Sequence, residues 1–112
     1  MEIKMIKFDN LDEKRLEAFK GGAGALNARM LTDELNKILM GRLEPGSSIG
    51  LHTHEDSSEI MYFISGAGKL THNGREERIV AGDCHYCKKG EEHTVINDGD
   101  ADLTFFAVVP MQ

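Results

Sequence analysis

Cysteine, positive charge and long apolar runs are all scarce in this chain of 112 residues. The two cysteines, Cys84 and Cys87, cannot supply the disulfide framework of a small secreted domain. If their segment is a strand, positions three apart point to opposite faces, which disfavours a bridge or a shared metal. Both read as ordinary thiols in a reducing compartment. Thirteen Lys and Arg stand against 19 Asp and Glu, for a net charge of −6 with no basic run. Nucleic acid and anionic membrane are therefore poor partner candidates. No apolar stretch approaches the roughly 20 residues of a membrane-spanning helix. The opening "MEIKMIKFDN" alternates charge with apolar residues where a signal peptide needs an unbroken apolar core, so a cytoplasmic location is expected. Internal repeats, low-complexity tracts and linkers are also missing. A composition of 40 % hydrophobic and 29 % charged residues is that of one soluble globular unit.

Turn signals and strand-length apolar runs are what the chain has in quantity. Ile3 to Phe8 reads as a short strand. Asp9 or Asn10 can cap a helix with Leu11, Leu16 and Phe19 on its apolar side, stopped by Gly21-Gly22. From Leu26 onward the pattern is β. Runs at 26–31, 37–44 and 60–64 are closed by glycine or Pro45-Gly46. Asn73-Gly74 predicts a tight hairpin, because both residues accept the positive φ of a type I′ turn. Asp98-Gly99 predicts a second one, joining "HTVIN" to "DLTFFAVV". About eight short strands result, which points to an all-β barrel or sandwich. The expected division is an N-terminal strand and helix over 1–25 and a barrel over 26–112.

The chemistry concentrates in "GSSIGLHTHEDSSEIMYFISG", residues 46–66. In an extended strand His52 and His54 project to one face, with Leu51 and Thr53 on the other. Glu59 shares the parity of Met61 and Phe63, so a carboxylate heads an apolar row. A buried carboxylate without a partner is costly, and a bound cation is one way to offset that cost. Imidazole nitrogens and a carboxylate oxygen form a donor set that Fe, Mn, Ni or Zn accepts. Taken alone these residues are compatible with a metal or with solvated positions. His72, beside the Asn73-Gly74 turn, reads as a surface histidine. His85 is open between surface and cavity.

Gly46, five residues, His52-Thr53-His54, four residues, Glu59, six residues and Gly66 together resemble the first motif of the cupin superfamily. Gly82, five residues, Lys88-Lys89-Gly90, two residues, His93, three residues and Asn97 resemble the second. Lys88 stands where that family usually has proline. The 15 residues between the motifs match compact single-domain cupins. The resemblance implies a double-stranded β-helix, a small jelly-roll barrel with one divalent transition metal held by His52, His54, Glu59 and His93. His93 falls on the same strand face as Val95 and Asn97.

Expectations for function follow from that resemblance. The first is a metal-dependent enzyme of dioxygenase, decarboxylase or isomerase type acting on a small anionic or enolisable molecule. His85 and Tyr86 are its candidate proton donors. Met61, Phe63 and Val95 are expected as cavity wall, and Lys88-Lys89 as solvated charges or an attraction for an anion. The alternatives are a binding or sensing module without catalysis, and a structural metal site. Ile60, Tyr62 and Ile64 have outward parity and need cover, which the N-terminal helix supplies in part and a homodimer completes.

Overall fold

Alternation decides which side chains enter the core. A computed structural model describes residues 5–112. In β5 (Glu59–Ser65), Glu59, Met61 and Phe63 are buried while Ile60, Tyr62 and Ile64 face out. The last strand, β10 (Leu103–Pro110), buries Leu103, Phe105, Ala107 and Val109 in the same two-residue rhythm.

The described residues form ten strands rather than eight, in two antiparallel sheets. The larger sheet runs β1 (Lys14–Glu17), β2 (Ala25–Thr32), β3 (Asn36–Leu43), β10, β5 and β8 (Cys84–Cys87). The smaller runs β4 (Ser48–Thr53), β9 (Glu92–Ile96), β6 (Ala67–His72) and β7 (Arg75–Val80). Their inner faces close on a core that includes Leu26, Leu43, Met61, Phe63, Val95 and Phe105. The Phe63 and Phe105 rings lie 6.0 Å apart at its centre. Truncating either to alanine is expected to cost about 3–5 kcal/mol. This is the double-stranded β-helix that the motifs implied. As expected, Asn73-Gly74 turns β6 into β7, with φ values of 50° and 81°.

Two local expectations are corrected, the N-terminal strand and helix together and the Asp98-Gly99 hairpin. No α-helix forms over 11–19: Lys14–Glu17 is extended as β1 and pairs against β2 so that Leu16 lies opposite Leu26, and Phe19–Gly21 is a 3-10 turn. Sheet pairing and core contact by Leu16 and Phe19 outweigh a weak local helix preference. The backbone then reverses through Ala18 and Lys20, both at positive φ (48° and 55°). Of the strand expected at Ile3 to Phe8, positions 3 and 4 lie outside the described residues. Residues 5–7 are not strand, and Phe8–Asn10 is a 3-10 turn.

The second correction concerns Asp98-Gly99, which makes no hairpin. β9 pairs with β4 and β6, whereas β10 pairs with β3 and β5, so the chain crosses between sheets here. Fully buried Asn97 holds the crossing. Its side-chain amide donates to the carbonyls of Leu43 and Ala101, both at 2.8 Å, and its oxygen accepts from Gly99 N–H at 3.0 Å.

Candidate metal centre

A bulge in β4 brings the histidines together. Ile49 pairs with Val95 and His52 with His93, so three steps on β4 oppose two on β9. The extra residue resets the alternation, so that Ile49 and His52 both turn inward while Leu51 is 58 % exposed. It also frees the Gly50 carbonyl, which accepts a hydrogen bond from His52 Nδ1 at 2.7 Å. His54 follows β4 directly, its peptide held by the Glu91 carbonyl and Gly90 N–H. Glu59 opens β5, and His93 sits in β9 opposite both His52 and His72.

Four electron-rich atoms converge as a result. The Nε2 atoms of His52, His54 and His93 lie 3.0–3.3 Å from one another. Glu59 Oε1 is 3.1 Å from those of His54 and His93. His54, Glu59 and His93 are buried, and His52 is half-buried.

Each ring nitrogen on the far side is engaged: His52 by Gly50, His54 by Ser57 Oγ at 3.0 Å, and His93 by His85 Nε2 at 3.0 Å. A carbonyl oxygen only accepts, so His52 carries its proton on Nδ1 and, as a neutral ring, points a lone pair at the centre. Protons or a cation must sit among such atoms. The donor set fits a divalent transition metal, and its outer hydrogen bonds orient the rings for one.

Electrostatics follow from burial and these contacts. Burial alone would push the Glu59 carboxyl up, but hydrogen bonds from His54 and His93 outweigh it and hold the group at about 2. Burial lowers His52, aided by the neighbouring His93 and His54 and opposed by its bond to Gly50. Burial and His93 lower His85 to about 4, so His85 stays neutral and is able to accept from His93 Nδ1–H.

Above this cluster opens a cavity of ≈ 630 Å³, reached by His52, His54 and Glu59. Its walls come from β2, β3, β10 and the N-terminal arm, including Leu16, Phe19, Leu26, Leu39 and Phe105. Met61, Phe63 and Val95, expected in that wall, are instead packed in the core and do not line it. They share the parity of the ligating face but sit deeper between the sheets. His85 also stays out of the cavity, behind His93. Tyr86 is 50 % exposed on the opposite face of β8, so neither residue reaches a molecule in the cavity. Lys88 and Lys89 are exposed and do not line it either. His72 is half-buried, bonded to Glu91 at 3.1 Å with its ring 5.1 Å from that of His85.

Sequence reasoning missed Ser57, Gly50 as acceptor, and the cavity lysines Lys14, Lys20 and Lys37. Nothing local separates Ser57 from Ser58. Lys14 and Lys20 depend on how the arm folds back, and Lys37 on the pairing of β3.

A family model described as the cupin domain matches residues 39–109. The chain belongs to the cupin family. This cupin is 36 % identical over 111 residues to a Thermotoga maritima protein named an oxalate-binding protein, covering 94 % of this chain and 92 % of that one. A Thermotoga maritima crystal structure described as a predicted oxalate decarboxylase superimposes with a TM-score of 0.91 at 31 % identity, covering 97 % of this cupin and all of that chain. A Silicibacter pomeroyi cupin described as a sugar phosphate isomerase shares the fold, with a TM-score of 0.81 at 23 % identity, covering 97 % of this chain and 76 % of that one. Among the described residues no helix is long and apolar enough to cross a membrane.

Proposed function

We propose that His52, His54, Glu59 and His93 bind one divalent transition metal ion, and that this centre captures a small oxygen-donor anion from the cavity above it. The convergence of three imidazole Nε2 atoms and a carboxylate oxygen, each ring tied on its far side, carries this reading. When bound, the ion would supply Lewis-acid polarisation of a carboxylate or carbonyl oxygen. The chain's own part is to fix the donors and exclude water. Gly50, Ser57 and His85 hold the three rings, while Ile49 and Phe105 place apolar surface beside them. The oxalate named for one relative belongs to the same class of oxygen-rich small anion.

Capture without turnover suits the placement of His85 and Tyr86, since neither reaches the cavity. Turnover of decarboxylase, isomerase or dioxygenase type is the second reading, because Asp12, Glu55 and Asp56 line the cavity and bring carboxyl groups within reach of a bound molecule. Elemental analysis after reconstitution with Fe, Mn, Ni and Zn, followed by calorimetry with oxalate and product assays, separates these readings. Protein that retains none of the four metals would sink both.

A homodimer is proposed on the outer face of the larger sheet. Ile60, Tyr62 and Ile64 are 42 %, 48 % and 43 % exposed, and Tyr86 lies across from Ile60. Among the described residues the N-terminal segment meets this face at Phe8, which packs edge-on against Phe106 at 6.2 Å. Sedimentation at micromolar concentration should give a dimer, and a monomer would remove the proposal. Cytoplasmic residence is proposed on the two free cysteines, Cys84 exposed and Cys87 buried. Cell fractionation tests it.

A further inference from the structure

The cavity is far larger than a two-carbon diacid. At ≈ 630 Å³ it falls inside the range of roughly 300–1,000 Å³ that encloses drug-sized ligands. Its lining is divided in a way that selects for shape and polarity. Leu16, Phe19, Leu26, Met30, Leu39 and Phe105 supply a largely apolar wall. His52, His54 and Glu59 are grouped together at one place on it.

Charge adds a second constraint. Lys14, Lys20 and Lys37 line the cavity, but so do Asp12, Glu55 and Asp56, which leaves the lining balanced. Recognition of an anion therefore falls to the metal centre. Neutral imidazoles and one Glu59 carboxylate leave a divalent ion with a single net positive charge. A monoanionic head neutralises it. A dianion leaves one negative charge beside an apolar wall, which is unfavourable.

Building on the metal-centre reading, we infer that the ligand of this cavity is a monoanionic acid with an apolar body, of the 2-oxo-acid or aryl- and alkyl-carboxylate class. Its oxygen-bearing head faces the donor cluster and its body lies along Leu16, Phe19, Met30 and Leu39. The N-terminal arm is then part of the binding site, since Leu16 and Phe19 belong to it.

Calorimetric titration of the Mn- or Zn-loaded protein tests this with oxalate, pyruvate, 2-oxobutanoate, 2-oxohexanoate and 2-oxooctanoate. Affinity should rise about fourfold per added methylene as each is buried against the wall. In the Met30→Gln variant the gain in affinity from pyruvate to 2-oxooctanoate should fall about tenfold. The Phe19→Ala variant provides a second readout in the same direction. Oxalate binding more tightly than every 2-oxo acid, with no dependence on chain length, would overturn the inference and leave the metal centre standing. Equal binding of 2-oxooctanoate by metal-stripped protein would overturn the metal-centre reading and the placement of the head group with it.

Discussion

Replacing Gly50 with alanine tests the link between the N-terminal arm and the histidine cluster. A methyl group on Gly50 would lie 2.0 Å from the Lys20 carbonyl oxygen and 2.7 Å from Gly22 N, where contact needs about 3.5 Å. Those neighbours are backbone atoms, so no rotamer change relieves the clash and the arm must move by about 1 Å or more. The arm is held there by Ser48 N–H donating to the Ala23 carbonyl and Ala23 N–H donating to Ser48 Oγ, each 2.9 Å. Leu16 and Phe19 add partial burial against the core. Two hydrogen bonds at about 1 kcal/mol each, with some apolar surface, set the cost at roughly 2–3 kcal/mol. For a domain of this size that lowers Tm by roughly 8–15 °C. Trypsin reports the motion directly, because Lys14, Arg15 and Lys20 all lie on the arm. Cleavage there should accelerate in Gly50→Ala before the barrel is cut. Unchanged melting and unchanged cleavage would refute the close packing of the arm on β4.

Three further outcomes follow from other contacts. Asn97→Ala removes three hydrogen bonds at the crossing between sheets and strands the carbonyl of fully buried Leu43. A urea titration should show a loss of about 2–4 kcal/mol, and a loss under 1 would refute that role. His85→Ala should leave the circular dichroism spectrum unchanged while lowering metal affinity roughly 10–100-fold, since His93 loses its orienting partner. Unaltered affinity in a competition titration would show that His93 needs no such support. In metal-free protein His52 and His85 have lowered values, His85 at about 4, so the unfolded chain binds more protons as pH falls below about 6.5. Stability should therefore decline from pH 7 towards 4, and further below 4.5 as the depressed Glu59 carboxylate begins to lose its contribution. Urea midpoints rising on acidification would contradict this sign.

What was legible from residues alone tracks how local the cause is. The alternation of β5 and β10 needs only each side chain's polarity and the two-residue period, so inward Glu59, Met61 and Phe63 could be read directly. The Asn73-Gly74 turn is similarly local. Asp98-Gly99 carried an equally good turn signal and misled, because where a strand goes after a turn depends on which edges are free. Here the side chain of Asn97 redirects the chain into the other sheet. The arm failed for the same reason. Leu11, Leu16 and Phe19 fit a helical face weakly, and pairing of β1 with β2 decided the outcome. Residues at positive φ such as Ala18 and Lys20 leave no trace in propensity.

The site shows the same division, and the bulge explains it. Parity placed His52 and His54 on one face, but strict alternation would have put Ile49 on the opposite face from His52. The extra residue in β4 keeps both inward and turns the Gly50 carbonyl towards His52 Nδ1. Gly50 is also where Gly22 and Lys20 approach, at a distance no larger residue allows. The backbone carbonyl at position 50 therefore fixes the tautomer of a candidate ligand, and the missing side chain there admits the arm that walls the cavity. A pattern of spacings can show that glycine is present there. Only the packed structure shows that both the donor cluster and the cavity depend on it.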